Sequence, residues 1–139
     1  MSAEPHVHHA ESQNPFIIAQ HQLKTACDLL GLNPGVYEVL REPARVYTVS
    51  IPVQMDSGEI KSFLGFRSQH TDVIGPTKGG IRFHPDLTLD EVKALSIWMT
   101  MKCSLLDLPY GGGKGGIICN PKEMSPNELE QLSRGYVRA

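Results

Sequence analysis

The sequence lacks a long hydrophobic run, a basic leader and an excess of charge of either sign. Its apolar runs fall far short of the roughly 20 residues that a membrane-spanning helix needs, and the start, MSAEPHVHHAESQNP, lacks the basic and then apolar regions of a signal peptide. The formal net charge of −2 argues against nucleic acid or an anionic membrane as a partner. These absences predict a cytoplasmic protein that binds neither nucleic acid nor membrane.

Cysteine is also scarce. Cys27, Cys103 and Cys119 are odd in number, widely spaced and set among apolar neighbours. This pattern predicts reduced thiols in a core, and neither a disulfide framework nor a zinc site.

The length of 139 residues fits one domain with a modest core. Near the start, His6, His8 and His9 could bind a metal weakly, but no packing pattern surrounds them. Residues 1–13 are therefore predicted to be a disordered polar tail, and residues 14–139 to be the folded domain.

Helix and strand signals alternate along this domain and predict an α/β fold. Asn14 and Pro15 mark the start of a first helix that ends at Gly31, and a helical turn is predicted shortly after it. The runs RVYTVSIPV and IKSFLGFRSQH flank an Asp-Ser-Gly turn, which predicts an antiparallel hairpin. No partner strand for the hairpin is evident, so we predict an edge that self-association covers.

Two later helices have marked N-termini. Thr88 and Glu91 predict a capping box at the start of one, and Ser125 and Glu128 predict a second box at the start of the last helix. The last helix shows no stop signal before Ala139, which predicts that the sequence is an N-terminal piece of a longer protein.

Two motifs set a lysine among glycines and are predicted to be loops. GPTKGG carries Lys78, and LPYGGGKGGI carries Lys114 among five glycines. Glycine allows close approach to the backbone, so we predict loops shaped around a ligand. The second motif is not a P-loop, because Gly115 stands where Ser or Thr is needed. Its G-x-G-x-x-G match does not follow a strand and open a helix, as dinucleotide binding requires.

A third lysine, Lys102, is predicted on or beside the apolar face of the helix that Thr88 starts. That face is expected to comprise Val92, Leu95, Met99, Cys103 and Leu106. Each lysine has an alternative: Lys102 could extend its ammonium to solvent, Lys78 could lie on an exposed turn, and Lys114 on a mobile surface loop. Taken together, three ammonium groups predict a pocket for a dianionic substrate, with one amine left for chemistry.

Three motifs now point to a known family. GPTKGGIRFHP, ALSIWMTMKC and LPYGGGKGGI, in this order and spacing, resemble the N-terminal segment of the glutamate dehydrogenases in the Glu/Leu/Phe/Val dehydrogenase family. The resemblance runs in register from Asn14 to Ala139. It implies an α/β domain with a small mixed sheet flanked by helices, which binds substrate and assembles into a homo-hexamer. It also implies that the catalytic aspartate and the Rossmann domain for NAD or NADP lie beyond Ala139.

The same resemblance implies roles for single residues. Lys114 matches the family's catalytic lysine, Lys102 the lysine that holds the substrate α-carboxylate, and Lys78 the lysine that holds the side-chain carboxylate. The remaining expected pocket residues are Gly79, Gly80 and Met99, with Arg82 behind them.

The implied reaction is the reversible oxidative deamination of L-glutamate to 2-oxoglutarate and ammonia, with NAD or NADP. Family members for aliphatic and aromatic amino acids carry an apolar residue at the position of Lys78, so lysine there favours glutamate. Thr77 departs from the aromatic residue or alanine of many glutamate enzymes, which affects only the expected fine preference. Residues 1–139 alone are expected to be inactive. The alternative is a non-enzymatic module that binds small anions or self-assembles with the same lysines.

Overall fold

The structure is a computed structural model and describes residues 14–139. The predicted disordered tail, with its histidines, lies outside the described residues. The elements in chain order are α1 (Pro15–Leu29), α2 (Pro34–Leu40), β1 (Arg45–Gln54), β2 (Ile60–Gln69), β3 (Thr77–Lys78), β4 (Ile81–Phe83), α3 (Leu89–Leu105), β5 (Gly111–Ile117), a 3-10 turn (Pro121–Glu123) and α4 (Pro126–Arg138).

The five strands form one mixed sheet with β5 at its centre. β1 and β2 form the predicted antiparallel hairpin, in register from Arg45 opposite Gln69 to Gln54 opposite Ile60. β2 pairs antiparallel with β5, and the other edge of β5 pairs in parallel with β3 and β4. The predicted mixed sheet with flanking helices is confirmed. The prediction that the hairpin lacks a partner is wrong for β2, while β1 forms an edge of the sheet within residues 14–139.

The glycine-rich GGGKGG segment is the central strand of the sheet, and the prediction of a loop is wrong. At some positions of β5, a helix on one face or the other lies so close that a side chain would clash with it. A Cβ on Gly112 would lie 2.2 Å from both the carbonyl oxygen of Ser96 and Oγ1 of Thr100 in α3. On the opposite face, a Cβ on Gly115 would lie 2.3 Å from Oη of Tyr136 in α4. Glycine at positions 112 and 115 therefore allows α3 and α4 to approach the central strand.

The GPTKGG segment remains largely a loop, as predicted, with a two-residue strand at its centre. Lys78 ends β3, and Gly79 and Gly80 lie between β3 and β4. A Cβ on Gly79 would lie 1.5 Å from the carbonyl oxygen of Gly113, so only glycine fits beside the central strand there.

The helices lie in layers around the sheet. α3 covers one face of the sheet, and its outer side packs against Phe16 and Ala19 of α1 through Ala94 and Ile97. α4 covers the other face, where Leu132 is fully buried in the main apolar cluster. The predicted single apolar face of α3 is therefore only partly correct, because the helix is buried on two sides. Val92 and Cys103 are buried as predicted, but Leu95 is half-buried and Leu106 is exposed.

The helix starts are mostly as predicted. Ser125 and Glu128 form a complete capping box. Thr88 accepts a hydrogen bond from the Glu91 amide, but the Glu91 carboxylate pairs with Arg82 of β4 and leaves that box half-formed. The three cysteines are free and buried, which confirms the predicted core thiols.

Candidate functional site

Lys78 and Lys114 lie on the same face of the sheet. Successive side chains of a strand point to opposite faces, and Gly112 faces α3, so Lys114 faces α3 as well. Lys78 lies opposite Gly112 in the β3 and β5 register and shares its face. The sheet thus brings together two of the three predicted lysines, from segments far apart in the sequence.

The amine of Lys114 lies beside Gly80. Its Nζ is 3.8 Å from the place that a Cβ on Gly80 would take, and no other atom comes within 4 Å of that place. Lys114 itself is half-buried. The absence of a side chain at Gly80 leaves open space next to the amine, large enough for an atom of a ligand.

The Gly79 and Gly80 backbone is held from two sides. The carbonyl oxygen of Gly80 accepts a hydrogen bond from the Gly115 amide at 2.9 Å. The carbonyl oxygen of Gly79 accepts one from Nη1 of Arg67 at 3.3 Å, which reaches it from the α4 side of the sheet. The wall of the open space is therefore fixed by the central strand and by an arginine that the sequence analysis did not identify.

Lys102, which was predicted on or beside the apolar face of α3, is exposed in residues 14–139, as in the alternative in which its ammonium extends to solvent. It lies eleven residues after Glu91, which puts the two residues about 20° apart around the axis of α3. Because the Glu91 carboxylate reaches Arg82 at the β4 edge, this side of α3 faces β3 and β4. Lys102 therefore lies on the same side of the molecule as Lys78, near the helix end that packs on Gly112. Met99, one turn earlier, is half-buried.

The three lysines carry positive charge that no carboxylate of residues 14–139 neutralises through an ion pair. Elsewhere in the described part of the chain, Lys24 pairs with Asp28. Arg82, which was expected behind the pocket, pairs with Glu91 at 2.5 Å and contributes no free charge. The uncompensated charges of the three lysines make their side of the sheet suited to a ligand with more than one anionic group.

Beneath the lysines lies a buried polar cluster that the sequence analysis missed. His70 is 2% exposed, with Nδ1 2.7 Å from Oγ1 of Thr100 and Nε2 2.7 Å from the carbonyl oxygen of Leu40. A carbonyl oxygen only accepts, so Nε2 carries the proton and Nδ1 accepts from the Thr100 hydroxyl. The one available signal was the pair of polar residues, Ser96 and Thr100, four apart on the face of α3 that packs on the sheet.

The folded state should lose stability as the pH falls below about 6.5, the ordinary pKa of histidine. Burial lowers the pKa of His70, although its bond to the Leu40 carbonyl opposes this effect. The unfolded chain then takes up a proton first as the pH falls, so His70 contributes stability above that pH that is lost progressively on the way down to the folded pKa.

We expect up to about 1.4 kcal/mol per pH unit from this one group. The measurement is the free energy of unfolding in urea between pH 7.5 and 5.5, for the wild type and for His70→Gln, which keeps a donor for the Leu40 carbonyl. The variant should show a shallower pH dependence. Equal slopes for the two proteins would contradict the assignment.

The G-x-G-x-x-G match of the sequence does not fit a dinucleotide in this structure. The G-x-G-x-x-G match lies inside β5, and protein atoms fill the space beside its glycines on both faces of the strand. A phosphate cannot approach these backbone amides, as it does at the start of a helix in a dinucleotide-binding fold. The G-x-G-x-x-G match in β5 is therefore not a dinucleotide-binding turn.

The comparisons with known proteins agree with this fold. The sequence model of the Glu/Leu/Phe/Val dehydrogenase dimerisation domain matches residues 43–139, so the chain belongs to that family. The chain is 66% identical over 124 residues to an NAD-specific glutamate dehydrogenase of Clostridioides difficile, covering 89% of this chain and 30% of that protein. It is 60% identical over 129 residues to a catabolic NAD-specific glutamate dehydrogenase of Bacillus subtilis, covering 93% of this chain and 30% of that protein.

Solved structures show the same likeness. Glutamate dehydrogenase from Peptoniphilus asaccharolyticus matches with a TM-score of 0.88 and 59% identity, over 90% of this chain and 32% of that one. The hetero-hexameric glutamate dehydrogenase of Thermus thermophilus, in a leucine-bound form, matches with a TM-score of 0.85 and 37% identity, over 99% of this chain and 32% of that one. The chain therefore spans about a third of the length of these relatives. Among the described residues, no helix is both long and apolar enough to cross a membrane.

Proposed function

We propose that residues 14–139 are the substrate-binding and oligomerisation domain of a glutamate dehydrogenase, which deaminates L-glutamate reversibly to 2-oxoglutarate and ammonia. The observation that carries this proposal is the open space at the Lys114 amine beside Gly80, with Lys78 and Lys102 unpaired on the same side of the molecule. The family membership and the identity to NAD-specific glutamate dehydrogenases support it.

The three lysines have separate roles in this proposal. Lys78 binds the side-chain carboxylate of glutamate, and Lys102 binds the α-carboxylate. Lys114 exchanges a proton with the water and oxygen at the substrate α-carbon, as a general acid or base. Gly79, Gly80 and Met99 line the pocket, and the rigid central strand keeps the amine of Lys114 at a fixed distance from it.

The cofactor in this proposal is NAD, because the relatives from Clostridioides difficile and Bacillus subtilis are NAD-specific. NAD would accept hydride from the substrate, and it would be bound by parts of the enzyme other than residues 14–139. The predicted cytoplasmic location remains a prediction from the sequence.

The test is steady-state kinetics of NAD reduction by the full-length protein with L-glutamate, L-leucine and L-phenylalanine. We expect a strong preference for glutamate in kcat/KM. Absence of glutamate-dependent reduction, or equal activity with leucine, would contradict the proposal. Binding of 2-oxoglutarate without any turnover would instead favour the non-enzymatic anion-binding alternative.

We further propose that the enzyme is a homo-hexamer assembled in part through this domain. Apolar side chains on and after α1 and on α2 are strongly exposed, with Leu29 at 83%, Leu30 at 72% and Val39 at 74%. Several strongly exposed apolar side chains in one part of the chain are consistent with surfaces that a partner covers. The relative from Thermus thermophilus is a hetero-hexamer, so an experiment must show whether all subunits of this enzyme are identical. A mass of a single chain by light scattering of the folded full-length protein would contradict assembly.

A further inference from the structure

We propose that Thr100, aligned by His70, is a positioning residue that sets the spacing of the three lysines. This inference rests on the proposed function, because it concerns how the same site binds its dianionic substrate. The observation is a closed ring of hydrogen bonds among His70, Thr100 and Gly112.

The ring holds both polar groups of the Gly112 backbone. The carbonyl oxygen of Gly112 accepts from the His70 amide at 2.8 Å, and the Gly112 amide donates to Oγ1 of Thr100 at 2.9 Å. The Thr100 hydroxyl then donates to Nδ1 of His70 at 2.7 Å. Because Nε2 of His70 donates to the Leu40 carbonyl, the ring nitrogen that faces Thr100 is always the acceptor. The direction of each bond is therefore determined.

The ring lies where the lysine-bearing elements meet. Lys78 is the register partner of Gly112, and Lys114 follows Gly112 by two residues on the same face of β5. Lys102 follows Thr100 by two residues on α3. The Thr100 hydroxyl thus connects α3, which carries Lys102, to β5, which carries Lys114. The connection is at Gly112, where β3 with Lys78 pairs with β5.

Gly112 is what allows the helix to approach so closely. A Cβ there would lie 2.2 Å from Oγ1 of Thr100, so any other residue would push α3 away from β5. Such a displacement would move Lys102 relative to Lys114. A misplacement of about 1 Å in groups that hold a substrate can cost as much as 100-fold in rate.

The chain offers a matched control one helical turn away. Oγ of Ser96 lies 2.8 Å from Oγ of Ser68, and this bond also joins α3 to the sheet in a buried place. It involves neither polar group of the Gly112 backbone, although it reaches the sheet at Ser68, the register partner of Lys114. Because the Gly112 ring stays intact, loss of the Ser96 hydroxyl should cost stability and disturb the lysines less than loss of the Thr100 hydroxyl.

The experiment compares Thr100→Val, Thr100→Ser and Ser96→Ala in the full-length enzyme. We measure the dissociation constant of 2-oxoglutarate by calorimetry, the KM for L-glutamate, the melting temperature, and hydrogen exchange of the peptide that contains Gly112.

Thr100→Val should weaken 2-oxoglutarate binding about tenfold or more and speed exchange in that peptide, because the Gly112 amide loses its acceptor. Thr100→Ser should restore binding to within about threefold, since the hydroxyl returns. Ser96→Ala should lower the melting temperature and weaken binding clearly less than Thr100→Val.

Unchanged binding in folded Thr100→Val, or an equal loss of binding in Ser96→Ala, would overturn the positioning role. If Thr100→Val does not fold, His70→Asn provides the same test with a smaller expected loss of about threefold, because the backbone bond of His70 remains. A wild-type enzyme that neither binds 2-oxoglutarate nor oxidises glutamate would overturn the proposed function itself. The two failures are thus distinguished by the wild type alone.

Discussion

Lys114→Ala should reduce the turnover of glutamate by about 100-fold to 10,000-fold, the usual effect of removing a general acid or base. Its affinity for 2-oxoglutarate should change only by a modest factor, because the lost interaction belongs mainly to the transition state. The structural reason is the place of the amine, half-buried on the central strand and next to the open space at Gly80. Steady-state kinetics and calorimetric binding of 2-oxoglutarate to the full-length enzyme measure the two effects separately.

Lys114→Arg is the more demanding variant. Guanidinium keeps the positive charge but cannot give up its proton in a protein, so binding should remain and turnover should still be lost. Lys122→Ala, which removes an exposed lysine from the 3-10 turn, is the control and should resemble the wild type. A Lys114→Arg enzyme that retains more than about a tenth of the wild-type turnover would mean that Lys114 acts through charge alone and not as an acid or base.

Lys78→Leu should change the substrate preference of the enzyme. Lys78 is exposed in residues 14–139, and in the proposed complex a substrate carboxylate pairs with it. Removing one partner of such a pair should cost about 2 kcal/mol, which is about 30-fold in kcat/KM for glutamate. Relative activity towards norleucine or methionine should rise, because an apolar wall replaces the partner of the carboxylate while Lys114 and the reacting centre are unchanged. The measurement is kcat/KM for glutamate and for the two apolar amino acids.

Thr77→Ala is a matched control for that change. Thr77 precedes Lys78 in β3, but its Cβ lies near Gly113 on the α4 side of the sheet, away from the lysines. We expect a small effect on preference, in keeping with the minor departure from the family pattern at this position. If Thr77→Ala shifts the preference as much as Lys78→Leu, the side-chain carboxylate is not recognised by Lys78.

The local parts of the fold could be predicted from the sequence. Helix starts at Asn14 and Ser125 depend on a capping side chain and a proline within a few residues, and both are where the sequence predicts them. The hairpin depends on alternation and on a turn that contains Gly58, which has a φ of 87°. These signals are short-range, so neighbouring residues suffice to identify them.

The central strand could not be predicted in this way. Glycine weakens an isolated strand, so a run of glycines indicates a loop unless the packing around it is known. Here the run is a strand because α3 and α4 approach it from both faces, through residues such as Thr100 and Tyr136 that are distant in sequence.

The site was predicted in part. The motifs identified Lys78 and Lys114, which the sheet places on one face. No local pattern could identify the ring of His70, Thr100 and Gly112, whose members are separated by 30 and by 12 residues. It forms only when the helix and the strand pack together, and it is therefore a property of the tertiary structure.

The most direct test of the account is calorimetric titration of 2-oxoglutarate into the full-length wild type and the variants Lys78→Leu, Lys102→Leu and Lys114→Ala. The account predicts that the first two variants each lose about tenfold or more in affinity, because each removes the partner of one carboxylate, and that Lys114→Ala stays within a modest factor of the wild type. Wild-type affinity in Lys78→Leu and Lys102→Leu would contradict the claim that these lysines form the dianion site.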